Sequence, residues 1–268
     1  MESGVTKNYL QKLFVRKVFG KRLYRSFKMM KIYLMYLFRK NYEISDFFEK
    51  LITPDFVILD IGANLGQYLL RFHRLVKSKG KVYSFEPVEE DYKILLSLKK
   101  FLHLNSAEIF RFALSNSKGE SVLYIPVLES SIELDTQATI NLNNYKGVKG
   151  NFKEELVEVT TIDDIVNKLG ITKLDLIKSD TEGNDYKVIE GGMKTIERFH
   201  PFIFIEENHR ESWLKSLYDM EYCPYYVVNN SILKPAEKVT EDDNVNYDLM
   251  ALIHREKLKQ ISKFVMIK

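Results

Sequence analysis

Two acids close apolar runs at a spacing suited to holding a nucleoside. Asp60 follows Val57-Ile58-Leu59 and precedes Ile61-Gly62-Ala63-Asn64-Leu65-Gly66, and Glu86 ends Lys81-Val82-Tyr83-Ser84-Phe85. Each run reads as a buried parallel strand, and the first passes through a glycine turn into helical periodicity. Gly62 and Gly66 carry no Cβ, so the backbone can turn sharply and approach a ligand. Open α/β sheets bind their ligands at the carboxyl ends of strands, where both acids stand. A carboxylate one βαβ unit after the turn can accept two ribose hydroxyls, each charged hydrogen bond giving ~1.5–3 kcal/mol.

The turn reads D-x-G-x-N-x-G, not the dinucleotide pattern G-x-G-x-x-G. Asp60 repels a pyrophosphate and favours a cationic ligand end, so NAD fits poorly. A nucleoside joined to an amino-acid ammonium fits better, and S-adenosylmethionine is such a molecule. Polar groups at three further strand ends converge on the same crevice: Phe112-Ala113-Leu114-Ser115, Lys178-Ser179-Asp180-Thr181-Glu182-Gly183 and Glu206-Glu207-Asn208-His209.

The elements that must carry these groups alternate strand and helix from Phe56. Strands are expected at Phe56–Ile61, Lys81–Phe85, Glu108–Phe112, Leu174–Lys178 and Phe202–Glu206, with helices at Leu65–Ser78, Glu89–His103 and Ile162–Leu169 and after Gly183. Glu120–Ile125 and Leu156–Thr160 are further strands, and Tyr225–Val228 with Tyr247–Ile253 forms a final pair whose last strand is antiparallel. Thr161 is the expected N-cap of the helix at Ile162, with Asp163 and Asp164 in its first turn. Residues 127–154, polar and holding Gly147 and Gly150, read as an insertion or lid over the site.

At 268 residues and 45% apolar content the chain can bury one sizeable α/β core. We expect a basic helical extension over 1–50 and the main domain over 51–268. A lone cysteine, Cys223, excludes an internal disulfide and suits a reducing, cytoplasmic setting. No signal peptide is visible, and the apolar stretch Met29–Phe38 is broken by Lys31 and too short to span a bilayer. The net charge of +3 hides an asymmetry: residues 1–41 hold eleven Lys and Arg but only one acid, Glu2, so the remainder is net acidic. Leu10, Leu13, Phe14 and Val18, then Leu23, Phe27, Met30, Leu34, Leu37 and Phe38, fall at helical spacing among these cations. Residues 6–40 therefore read either as a helical extension packed on the domain or as an anchor for an anionic membrane surface or an acidic substrate carrier.

Six blocks taken in order resemble the FkbM family of methyltransferases. They are Asp60–Gly66, Phe85-Glu86-Pro87, Phe112–Ser115, Thr160–Asp164, Lys178–Gly183 and Pro201–Glu206. The resemblance covers about residues 55–210, and its most distinctive block is Lys-x-Asp-x-Glu-Gly. Two positions depart from the family's pattern: Asp185 stands where a Glu is usual, and Asp55 where a Gly commonly precedes the first strand. The resemblance implies a class I methyltransferase fold, a Rossmann-like doubly wound seven-stranded sheet with its last strand antiparallel. It further implies S-adenosylmethionine as donor and methylation of an alcohol oxygen on a sugar or natural product.

Carried over by position, Gly62, Ala63, Asn64 and Gly66 line the methionine end beside Asp60. Glu86, followed by Pro87, holds the ribose, Phe112 and Ala113 flank the adenine, and Asp180 faces the methionine ammonium or the acceptor hydroxyl. His209 is the expected neutral base, since imidazole titrates near neutrality, with Asp180 and Glu182 as carboxylate candidates. Asp180, Glu206, Glu207 and Asn208 also offer hard oxygen ligands for Mg²⁺, against the reading in which these acids balance a sulfonium and Lys178.

The acceptor expected is a glycan or glycolipid hydroxyl, with a polyketide-type natural product as the alternative. High aromatic content (16 Tyr, 17 Phe and 1 Trp) and the basic N-terminal segment support the glycan. A nucleic-acid methyltransferase using the basic arm would bind with strong salt dependence, but the strand-four end lacks the Asn/Asp-Pro-Pro-aromatic turn. A non-catalytic binding module is a further rival, opposed by the intact Asp60, Gly62, Gly66 and Glu86.

Overall fold

A computed structural model of the chain describes residues 26–34, 36–37, 45–127, 133, 137–140, 151–206, 214–228, 232–239 and 245–261. Its main sheet contains β1 (Val57–Ile61), β2 (Lys81–Phe85), β3 (Ala107–Phe110), β7 (Leu176–Ser179), β8 (Phe202–Ile205), β9 (Tyr222–Val228), β10 (Ile232–Pro235) and β11 (Val245–His254). They lie in the order β10-β9-β11-β8-β7-β1-β2-β3. The pairs β3-β2, β2-β1, β1-β7 and β7-β8 are parallel, whereas β11 runs antiparallel to β8 and β9. Seven strands thus lie in the expected arrangement. An eighth, β10, forms an antiparallel edge hairpin with β9 that the sequence reading did not contain.

The strands are apolar throughout because both faces are covered. Alternation assigns Ile58, Phe202 and Phe204 to one core and Leu59, Ile61, Ile203 and Ile205 to the other. Helices α1 (Ser45–Leu51), α2 (Gln67–Val76) and α3 (Glu89–Leu102) cover the first face. Here Phe48 meets Phe204 edge-on with ring centroids 4.9 Å apart. Helices α4 (Ile162–Lys168), α5 (Asp185–Glu190) and α6 (Met193–Phe199) cover the second. Thr161 caps α4 as expected, its hydroxyl accepting from the Asp164 amide. The short helix α7 (Leu214–Asp219) precedes β9.

A second, three-stranded sheet stands beside the carboxyl ends of the parallel strands. It is formed by β4 (Ala113–Leu114), β5 (Gly119–Val127) and β6 (Asn151–Thr160), in the order β4-β6-β5. Part of the expected lid lies within it: residues 151–154 belong to β6, and Thr139 exchanges backbone hydrogen bonds with Tyr124 of β5. The rest of 127–154, apart from Val127, Glu133 and 137–140, is outside the described residues. In the N-terminal segment, residues 26–34 are helical and dock through buried Ile32 and a Lys28–Asp91 ion pair of 3.3 Å. Residues 1–25 are outside the described residues.

Candidate functional site

The order of chain traversal reverses at β1: β2 and β3 follow on one side, β7 and β8 on the other. Such a switch opens a crevice at the carboxyl ends of the central strands. A cleft of about 220 Å³ lies there, walled by the turn after β1, the β2 end, β4, residues 138–140 and the β7 end.

The glycine turn fits with no room to spare. Gly62 (φ +73°) donates its amide to the Phe85 carbonyl at 3.0 Å, as does Ala63. A Cβ on Gly62 would come within 1.9 Å of the Asp180 carbonyl oxygen, so the β1 and β7 ends can meet only over a glycine. Asn64, also at positive φ (+49°), turns its side-chain oxygen onto the Leu65 amide at 2.7 Å. Glu86 is braced from both sides, accepting from the Asn64 amide at 2.6 Å and the Val88 amide at 2.8 Å. Its carboxylate is therefore preorganised at the cleft wall before any ligand arrives.

Gly62, Ala63, Asn64, Glu86, Pro87, Phe112, Ala113, Asp180 and Glu182 all line the cleft, as expected from sequence. Phe112 continues a ladder of near-parallel rings, 6.2 Å from Phe110, which lies 5.4 Å from Phe85. Asp60 and Gly66 do not line the cleft. Asp60 is fully buried, accepting from the Ser84 hydroxyl at 3.2 Å through one oxygen while the other has no partner.

The electrostatics are those of a carboxylate excess. Lys178, buried apart from 1% of its side chain, donates to Asp180 at 3.0 Å and sits 4.5 Å from the Tyr68 ring centroid. Burial opposes its charge, but Asp180, Asp60 and Tyr68 together outweigh that and hold its pKa above the usual lysine range. Burial pushes Asp60 up to about 6 despite Lys178 and Ser84. Glu182 rises to about 7, by burial and then by the charges of Asp180 and Asp185, and Glu206 to about 7, by burial and then Asp180, Glu182 and Asp185. Several acids thus share one buried cation and keep protons that carboxylates ordinarily lose.

Thr181 and Asn184 also line the cleft, each with one side-chain oxygen, Oγ1 and Oδ1, buried beneath its surface without a hydrogen-bond partner. With Glu86, Asp180 and Glu182 at its wall against Lys178 alone among the described residues, the cleft fits a cationic ligand. Asp185, the departure from the expected Glu, accepts from the Ser179 hydroxyl and the Thr181 amide and so shapes the β7 end. Glu182 carries φ +52°, a conformation costly for a residue with a Cβ.

His209, Glu207 and Asn208 lie outside the described residues. Of the expected magnesium ligands this leaves Asp180 and Glu206, and Asp180 already has the Lys178 ammonium against it. Among the described residues the one three-member grouping with metal-ligand spacing is His200, His254 and Glu256, none of which lines the cleft. Tyr68, Thr139 and Asn184 line the cleft but were not singled out from sequence. For Tyr68 the available signal was its position two residues beyond Gly66, in the first turn of the helix.

Comparison with known proteins gives a consistent picture. A family model described as "Methyltransferase FkbM domain" matches residues 60–225. The chain is 29% identical over 165 residues to "2-O-methyltransferase NoeI" of Sinorhizobium fredii (strain NBRC 101917 / NGR234), a match covering 59% of this chain and 65% of that protein. It is 24% identical over 159 residues to "31-O-demethyl-FK506 methyltransferase FkbM" of Streptomyces tacrolimicus, covering 52% of this chain and 60% of the relative. The chain thus spans less than two thirds of the length of either relative. Among solved structures, Methyltransferase FkbM from Methylobacillus flagellatus KT aligns at 17% identity and TM-score 0.48, covering 76% of this chain and 44% of that one.

Proposed function

The chain belongs to the methyltransferase FkbM family, and on that premise we propose that it transfers a methyl group from S-adenosylmethionine to a sugar hydroxyl of a glycan or glycolipid. The observation that carries this reading is the cleft itself, where the glycine turn, the braced Glu86 and a carboxylate excess converge. Both curated relatives are named for methyl transfer at an oxygen.

In this reading Glu86, held by the Asn64 and Val88 amides, accepts the ribose hydroxyls. Phe112 and the Ala113 backbone flank the adenine. Asp180 faces the amino-acid ammonium. Asp60 acts from behind the wall, adding negative potential without contact. When bound, S-adenosylmethionine supplies a methyl carbon already activated on a sulfonium, so no further electrophile is required.

The remaining work is to align an oxygen nucleophile and remove its proton. Glu182, held near 7 at the cleft wall, is the described group whose pKa suits accepting that proton at neutral pH. An aliphatic hydroxyl is far more acidic as it attacks than before, so Glu182 takes the proton as the new C–O bond forms. A polyketide-type acceptor is the second reading, favoured by the apolar wall of Leu114, Leu123 and Ile140.

The test is formation of S-adenosylhomocysteine from S-adenosylmethionine across a panel of free sugars, lipid-linked glycans and macrolides. Turnover with a sugar-bearing acceptor, lowered roughly 10²-fold or more by Glu182→Gln, is the expected result. Turnover confined to macrolides would move the acceptor to the second reading, and unchanged turnover in Glu182→Gln would remove that residue as base.

A further inference from the structure

The N-terminal helix is apolar on two faces. Its inner face docks through Ile32, 3% exposed, with Met29 and Tyr36 packed on the same core. Its outer face carries Phe27 (57% exposed), Met30 (51%), Leu34 (42%) and Leu37 (51%). These four recur at three- and four-residue steps, which puts them on one stripe, and exposed Lys31 sits at its margin. Phe101 of α3, 57% exposed, extends the patch and meets Tyr33 edge-on with centroids 5.4 Å apart. Single exposed apolar side chains need no explanation, but a contiguous row does.

We propose that this stripe docks the protein on an anionic membrane surface. Charge complementarity selects the occupant: residues 1–41 carry eleven Lys and Arg against Glu2 alone, while the rest of the chain is net acidic. An anionic bilayer thus attracts this end of the molecule and repels the remainder, which orients the approach. Among the described residues no helix is long and apolar enough to cross a bilayer, and a helix with an exposed apolar stripe flanked by cations binds in the plane of the membrane interface. Inner-face contacts hold the helix fixed, notably Lys28 to Asp91, which is 1% exposed. Asp91 lies in the first turn of α3, three residues beyond Val88 of the cleft wall, which ties the docked helix to the element that leads out of the cleft. The proposal stands whether or not the donor and acceptor are those proposed above.

The experiment is flotation of the full chain with vesicles of phosphatidylcholine, with and without phosphatidylglycerol. Binding to the anionic vesicles only is expected, with release at about 1 M NaCl, where the Debye length is ~3 Å. The double substitution Phe27→Ser/Leu34→Ser should reduce the bound fraction roughly tenfold or more. Both side chains are exposed, so melting temperature and S-adenosylhomocysteine affinity should be retained, which separates lost docking from lost folding and from failure of the donor site. Absence of flotation, or equal flotation by the double variant, would overturn the proposal. So would a wild-type dimer that the substitutions convert to monomer, which would assign the stripe to a second copy.

Discussion

At the scale of single residues, the chemistry turns on acids that are short of cations. Glu182 and Glu206, each at about 7, hold protons that a positively charged ligand would displace. Affinity for S-adenosylmethionine should therefore tighten as pH rises from 6 to 8, and Glu182→Gln should flatten that profile; calorimetry across this range reads both. The same shift has a stability consequence. A carboxyl whose pKa is raised on folding stabilises fully below its unfolded pKa, and that contribution is lost as pH rises through the folded value. The melting temperature of Glu182→Gln relative to wild type should accordingly rise between pH 4.5 and 8, the window ending above the value of about 7. Because Lys178 already stands against Asp180, methyl transfer should persist in EDTA. Abolition by EDTA with recovery on Mg²⁺ would restore the metal reading.

At the scale of elements, the β1 turn is the joint on which the site depends. Gly62 and Gly170 share a positive φ, +73° and +61°, but only Gly62 has backbone at the position a Cβ would take. Gly170→Ala should therefore cost only the backbone strain, about 1–2 kcal/mol. Gly62→Ala should cost clearly more and abolish donor binding, since the β1 and β7 ends must separate; denaturant melts of the two variants make the comparison. This turn was legible because a second apolar run ending in an acid, Glu86, follows it; glycine after a strand alone often means only a turn. The edge strand β10 was not, because a short Ile-Leu-Lys-Pro run carries too little periodicity to announce a strand. From its place at a strand end Asp60 reads as a ligand-facing acid. Alternation along β1 could not tell that its carboxylate would point beneath the cleft, towards Ser84.

At the scale of the whole molecule, strand order follows from the alternation of strand and helix, and the cleft follows from the reversal at β1. The roof over the cleft was less legible. Residues 127–154 showed polarity without periodicity, and only the pairing of Thr139 with Tyr124 of β5 shows how Thr139 reaches the Glu182 carbonyl, at 3.2 Å. Tyr68 escaped notice for a related reason, since an aromatic in a helix reads as core until the lysine it stacks on is known. The central claim is that this cleft is the donor site, with Glu86 as its anchor. Its most direct test is calorimetric titration of wild type and Glu86→Ala with S-adenosylhomocysteine, each variant first shown to melt cooperatively. Micromolar binding by wild type, weakened at least tenfold by the substitution, is what the loss of one charged hydrogen bond or more predicts. Equal affinity in both proteins, or no binding by wild type, would contradict it.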